Sequence, residues 1–295
     1  MLNPPLPCHA MVSRIMHRVV GWSWVCLCAL IASSAGAPGS TPAAAWKTYE
    51  TPIGASQQIT LPDGSFVHLN TSTQLRIFIA GSHHAVTVER GEAFFRVIKN
   101  PLQVIVGDWV INAENTSFSV RDYGDGAIDV MALDGPVRID SAPDKPSDSL
   151  PRARGGVQVV LAGQIAQVRA GRVSPHTVGR ETIERKLMWR YGMLEFVNET
   201  IESIAAQFNR YGRTQLLIVD DSIRNLRVGG RFCVSDINTL IATASRIFDL
   251  RVETHQTVSG AVVHLGQMSK SAGTNASPTR RKRIPPALSR KSDES

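Results

Sequence analysis

Between residues 59 and 77 apolar and polar residues alternate on either side of Pro62-Asp63-Gly64-Ser65. A period of two puts one set of side chains on each face of a strand, and Asp-Gly between two such runs closes a tight turn. Pro62 fixes φ on entry, Gly64 supplies a positive φ, and Asp63 bonds its own backbone. Asn70-Thr71 breaks the run, Leu75-Ile77-Ile79 starts the next strand, and Gly91-Glu92 reads as a further turn before Phe94-Phe95 and Val97. Turn signals then recur roughly every eight to twelve residues up to Gly171, separated by short β-branched or aromatic runs. Those runs lie at 86–88, 104–106, 109–111, 118–120, 128–133, 137–139, 157–161 and 165–168. No helical periodicity outlasts a turn, so residues 46–175 are expected to form an all-β sandwich or roll. Residues 141–156 are rich in Pro, Ser, Arg and Asp, and read as a hairpin insertion.

The period changes after Trp189. Residues 193–196 are strand-like, and Asn198 is a candidate N-cap. Ile201, Ile204, Ala205 and Phe208 recur at helical spacing, with Gly212 expected to close the helix. A strand at 216–219 and a turn at Asp220-Asp221 follow. The cycle then repeats, with 228–232 as strand, Ser235 as N-cap, and Ile237, Leu240, Ile241, Ala244, Ile247 and Phe248 on one helical face. Strands at 250–253 and 262–265 complete a small α+β domain of two β-α-β repeats over 187–266, with both helices expected to cover one face of a sheet.

The flanks differ in kind from this core. Residues 19–37 carry no charge and are long enough for one bilayer crossing, behind Arg14, His17 and Arg18. Ala35-Gly36-Ala37 also fits signal-peptidase cleavage. Either way residues from about 40 onward are expected outside the cytoplasm. The favoured arrangement is a single-pass inner-membrane protein with a periplasmic bulk, and the alternative is a soluble periplasmic product. Residues 1–18 would then be a short cytoplasmic start, 38–45 a linker, and 267–295 a disordered basic tail. The formal charge of +7 sits largely in these flanks and no recognition-helix pattern accompanies it, which argues against nucleic-acid binding.

The block L-P-D-G-S-x-V-x-L-N-x-x-T-x-L, matched at Leu61, Asp63, Gly64, Ser65, Val67, Leu69, Asn70, Thr73 and Leu75, is followed by Gly91, Glu92, Ala93, Phe95 and Val97. Together these blocks resemble the periplasmic domain of FecR-type regulators, the signal-transducing partners of outer-membrane iron-siderophore receptors. Gly54, Asn115-Thr116-Ser117-Phe118-Ser119-Val120, Asp134-Gly135-x-Val137 and Val160-x-x-Gly163-Gln164 extend the resemblance in the same order. Trp189, Gly192, Leu194, Phe196 and Phe208-Asn209-Arg210-Tyr211 resemble the family's C-terminal domain, which is similar to the signalling domains of TonB-dependent transducers and secretins.

The resemblance implies signal relay from a TonB-dependent outer-membrane transducer toward an extracytoplasmic-function sigma factor. The family's cytoplasmic sigma-binding domain needs some 80 residues. Residues 1–18, with Pro4, Pro5 and Pro7, cannot form it. The sigma-binding role is therefore carried to no residue of this sequence. The alternative function is a periplasmic β-rich envelope or glycan-binding module.

Other residues read as structural. Asp63 and Glu92 are expected to serve turns rather than form a catalytic pair. His83-His84 are expected in a solvated loop, since neighbours on a strand face opposite ways and cannot readily share a metal. Trp46, Tyr49 and Trp109 are expected in the core rather than on a sugar-stacking patch. Cys233 reads as a small core residue. No G-x-S-x-G, H-E-x-x-H, P-loop or dinucleotide fingerprint is present, so no enzyme activity, catalytic residue, cofactor or metal is expected. Partner binding is assigned to Val228, Gly229, Gly230, Arg231 and Phe232, where a sheet edge could accept another strand, with 262–265 as a second edge.

Overall fold

The structure, a computed structural model, describes residues 45–80, 83–141, 157–258 and 260–267. The expectations for 1–44, 142–156 and 268–295 lie outside the described residues. Among the described residues no helix is long and apolar enough to cross a membrane.

Among the described residues, thirteen strands form one continuous sheet bent into two layers. The strands are β1 (Ala45–Glu50), β2 (Gln57–Thr60), β3 (Phe66–Leu69), β4 (Gln74–Ala80), β5 (His83–Arg96), β6 (Leu102–Val106), β7 (Trp109–Ala113), β8 (Ser117–Asp122), β9 (Ile128–Asp134), β10 (Val137–Ser141), β11 (Gln158–Val160), β12 (Gln164–Arg169) and β13 (Arg172–Thr177). One layer runs β1-β4-β5-β6-β7-β10-β11 and the other β2-β3-β5-β8-β9-β12-β13.

The long strand β5 belongs to both layers. Its first half pairs with β4 and, in parallel, with β6; its second half pairs with β3 and β8. The expected turn at Gly91-Glu92 is absent. The chain bends there through a β-bulge, where Gln74 and Leu75 oppose Arg90 and Val88 and leave Glu89 over. A bulge adds one residue and so exchanges the two faces of a strand. Val86 and Val88 point into the shared core before it; Ala93, Phe95 and Val97 do so after it. Phe94 therefore faces outward and joins a second core. Gly91 sits at the bend with φ +92°, and a Cβ there would meet Thr73 Oγ1 at 2.5 Å.

The second core is built on the outer face of the layer containing β9 and β12. Phe94, Met131, Leu133 and Ile165 pack against Ile183 and Leu187 of α1 (Arg180–Lys186) and its C-cap, and against Trp189 of a 3-10 turn (Met188–Tyr191). Between the two units the chain runs from β13, which ends at Thr177, directly into α1 at Arg180. Ile183 and Leu187 are fully buried, so apolar contact with the sheet orders this segment.

The α/β unit follows as β14 (Met193–Thr200), α2 (Ile201–Phe208), β15 (Gln215–Ile218), α3 (Asp221–Arg224), β16 (Arg227–Cys233), α4 (Ile237–Phe248), β17 (Leu250–Thr257) and β18 (Gly260–Gln267). Its strands form two sheets, β14-β16 and β15-β18-β17, with α2 and α4 packed between them. This corrects the expectation of two helices over one face of a single sheet. Strand alternation fixes which face is buried, whereas strand order depends on pairings between distant segments.

The helical faces match the sequence pattern where burial is strongest. Ile201, Ile204, Ala205, Phe208, Leu240 and Ala244 are buried, but Ile247 is exposed. Caps sit one or two residues later than expected. Thr200 accepts from Ser203 N and Asp236 from Thr239 N, while Asn198 occupies a positive φ of 54° beside a bulge in β14. Helix α2 ends at Asn209 in a right-handed conformation, not at Gly212.

Candidate functional site: a buried polar joint between the two units

The Pro-Asp-Gly-Ser turn does what its chemistry predicts. Asp63 accepts from Ser65 N at 3.0 Å, from Ser65 Oγ at 2.9 Å and from Asn100 N at 3.2 Å. Burial pushes its carboxyl up, but those hydrogen bonds and nearby His84 outweigh it and hold the group below the usual range.

His84 departs from expectation. It lies buried in β5, not in a solvated loop, with Nδ1 3.7 Å from Asp63 Oδ2 and no hydrogen bond to that nitrogen among the described residues. Pairing with Ile79 and Leu102 carries the strand through this position. Trp109 is buried and Tyr49 partly so, but Trp46 is 47% exposed and packs on Phe78 at the sheet edge. Cys233 is half-buried, its Sγ 3.8 Å from Met193 Sδ.

The motif residues of the β unit converge elsewhere, on the Phe208-Asn209-Arg210-Tyr211 segment after α2. Asn70 Nδ2 donates to Glu92 Oε2 at 3.0 Å and to the Tyr211 hydroxyl at 2.9 Å. Arg210 donates to the same Glu92 oxygen at 2.7 Å. Thr71 Oγ1 donates to the Arg210 carbonyl at 3.1 Å and accepts from Gly54 N at 2.7 Å. Thr73 Oγ1 donates to the Glu92 carbonyl and accepts from Glu92 N, each at 3.0 Å. Thr51 Oγ1 donates to the Asn70 carbonyl at 2.5 Å. Gly54 closes the joint from above, where a Cβ would lie 2.9 Å from the Tyr211 carbonyl oxygen.

This arrangement corrects the reading of Glu92 as turn chemistry. Its carboxylate is buried and projects from the outer face of the sheet, on the Phe94 side, because of the bulge before it. Burying a carboxylate is costly unless it is paired and hydrogen-bonded, and here Arg210 and Asn70 supply both. Burial works against the Arg210 charge, but Glu92 beside it, with Tyr211, raises its pKa above the ordinary value. Burial and then Glu92 push the Tyr211 phenol up to about 12, so it stays neutral. Burial and the like charge of Arg210 lower Arg121 on neighbouring β8.

A second contact flanks the joint. His68 meets Trp189 edge-on at 5.2 Å, and the Arg190 guanidinium lies 4.0 Å over the Phe94 ring. Burial, then Arg190, lowers the His68 pKa. The joint holds an ion pair, amides and hydroxyls in fixed geometry. Its chemical capacity is to couple two packed units. The sequence blocks carried the signal for Asn70, Glu92, Arg210 and Tyr211 separately, but nothing in their spacing showed that they meet.

The predicted partner segment forms β16, which pairs only with β14 among the described residues. Val228 and Phe232 are buried in the α/β core, while Gly229 and Arg231 are exposed, and Arg231 ion-pairs with Glu195 at 2.9 Å. The segment thus offers a backbone edge rather than a side-chain surface. The second proposed edge, 262–265, is contradicted, because β18 is the central strand between β15 and β17.

Two crystal structures of a candidate anti-sigma factor from Parabacteroides distasonis ATCC 8503, at 1.65 and 2.50 Å, share this fold. They align with TM-scores of 0.57 and 0.55 at 20% and 21% identity, each over 76% of this chain and 100% of the other. At such identities the likeness is one of fold. Comparison with curated proteins finds no match. The family model described as FecR protein matches residues 47–138, from β1 into β10, and so takes in Asn70, Thr71, Thr73 and Glu92 of the joint. Residues 47–138 of the chain are thus similar to the FecR protein family.

Proposed function

We propose that the chain relays a signal across the periplasm. In this reading residues 19–37 anchor it in the inner membrane, and the α/β unit receives the signalling domain of a TonB-dependent outer-membrane transducer. The signal then passes toward an extracytoplasmic-function sigma factor. The FecR family match supports the regulatory class, and the fold likeness to a candidate anti-sigma factor agrees with it. The observation that carries the reading is the buried joint. Residues of the FecR domain grip the Arg210-Tyr211 segment directly after α2, so displacement of the α/β unit cannot leave the β unit unaffected. No residue of this chain is assigned to sigma-factor contact. No catalytic chemistry is part of the proposal.

The transducer domain would add a strand to the free edge of β16 through main-chain hydrogen bonds. A photo-crosslinking residue placed at exposed Gly229 or Arg231 in the full chain tests this. Crosslinks to a purified transducer signalling domain are expected from both positions, with none from a control position at Tyr123 on the β unit. Equal labelling at all three, or at Tyr123 alone, would overturn the assignment of the receiving surface.

A further inference from the structure

We propose that the β17–β18 hairpin carries a binding site for one divalent transition-metal ion of the zinc class, held by Glu253, His255 and His264. The inference is independent of the relay reading. In the antiparallel register Glu253 lies opposite His264, and His255 lies opposite Val262. Directly paired residues share a face, as do residues two apart on one strand. Val263 and Leu265 occupy the other face of β18 and are buried in the α/β core. Glu253, His255 and His264 therefore project together from the outward face.

The side chains have already converged. The two imidazole rings lie 4.6 Å apart between centroids, and His255 Nε2 is 3.8 Å from Glu253 Oε2. One ligand atom from each of the three lies within 4.8 Å of the others. Zinc bonds near 2.0–2.2 Å require donor atoms about 3.3 Å apart in a tetrahedral site. Partly exposed side chains on a sheet surface reach that spacing by small rotamer changes, with no backbone movement. Arg251 pairs with the other oxygen of Glu253, Oε1, which fixes the carboxylate with Oε2 toward the imidazoles. Outer partners of this kind commonly orient a metal ligand.

The donor set selects the ion. Two imidazoles and one carboxylate suit zinc, nickel or copper, whereas calcium and magnesium require oxygen ligands throughout. Three protein ligands leave a coordination position open. The face is an open sheet surface and not a pocket, so the site binds an ion and joins two strands without enclosing a substrate.

The test uses the full chain, stripped with chelator and titrated with zinc chloride near neutral pH in a calorimeter. One equivalent is expected to bind, and His255→Ala and His264→Ala are each expected to weaken binding about tenfold or more. His176→Ala, which alters a histidine on β13, should leave binding unchanged. Cobalt(II) gives a second readout, since imidazole coordination produces visible absorption bands that the His255→Ala/His264→Ala double variant should lose. The variants should keep the metal-free melting temperature, which separates loss of ligands from loss of fold. Absence of zinc binding by the parent chain, or unchanged affinity and cobalt bands in the double variant, would overturn the proposal.

Discussion

Glu92 and Arg210 stand 118 positions apart in the chain, yet their side chains meet at 2.7 Å inside the contact between the two units. Glu92 is the more deeply placed, with 4% of its side chain exposed against 19% for Arg210. Removing one member of such a pair strands the other charge, which typically costs about 3–5 kcal/mol. Glu92→Ala and Arg210→Ala should each destabilise the chain near the lower end of that range, read as a fall in the urea midpoint. Glu92→Gln/Arg210→Leu should lose clearly less than the sum of its two single variants. Strict additivity would mean that the two charges do not interact.

Three glycines with positive φ should respond in a graded order to alanine substitution. At Gly64, φ is +87° and nothing lies within 4 Å of the missing Cβ, so only backbone strain of about 1 kcal/mol applies. At Gly54 the new Cβ would press on the Tyr211 carbonyl at 2.9 Å. Strain and contact together should cost about 2 kcal/mol, with hydrogen exchange rising first around residues 209–212. At Gly91 the Cβ would collide with the Thr73 side chain and backbone and with the Ser72 carbonyl, all within 2.8 Å. Gly91→Ala should cost about 3 kcal/mol or more and disturb both layers, because β5 is common to them. Thermal melts of the three variants would check the order.

Phe94 and Phe95 are neighbours that serve different cores. Phe95 stacks on Phe118 at 5.0 Å within the sandwich, whereas Phe94 packs with the second core beneath Arg190. Each alanine variant should lose about 3–5 kcal/mol, but in different places. Phe95→Ala should unfold the β unit cooperatively. Phe94→Ala should free the segment 180–192 first, making it sensitive to protease while β-sheet circular dichroism persists. Identical protease patterns would contradict this division.

His68 gives the contact an acid sensitivity. Burial and then Arg190 depress its pKa below the ordinary 6.5, so the unfolded chain takes up a proton more readily than the folded one. The contribution is full above about pH 6.5 and is lost as pH falls toward the folded value. Melting temperature should therefore drop between pH 7 and pH 5 more steeply in the parent than in His68→Asn, which has no titrating ring. Parallel curves would show that His68 does not contribute.

Most element types and buried faces were legible in the residues alone, because those depend on local periodicity and turn chemistry, although Asp220-Asp221, read as a turn, opens the short helix α3. Alternation about Asp63-Gly64 placed Val67, Leu69, Leu75 and Ile77 in the core, and the 3.6 period placed Ile204, Ala205 and Phe208 inward. Asn115 adopts a positive φ of 45°, a conformation that asparagine tolerates better than other non-glycine residues. Helix starts were legible only to within a residue or two, since Asn198, Ser235 and the actual caps Thr200 and Asp236 offer similar side-chain acceptors. Features that depend on pairing between distant segments emerged only in the packed fold. The bulge at Glu89 reversed the facing of β5 and sent Glu92 and Phe94 outward, where a local reading placed a turn. Partition of the α/β strands into two sheets left β18 without a free edge. The joint of Asn70 and Glu92 with Arg210 and Tyr211 arises because a one-residue bulge and a long-range docking act together, and neither has a period that a sequence can display.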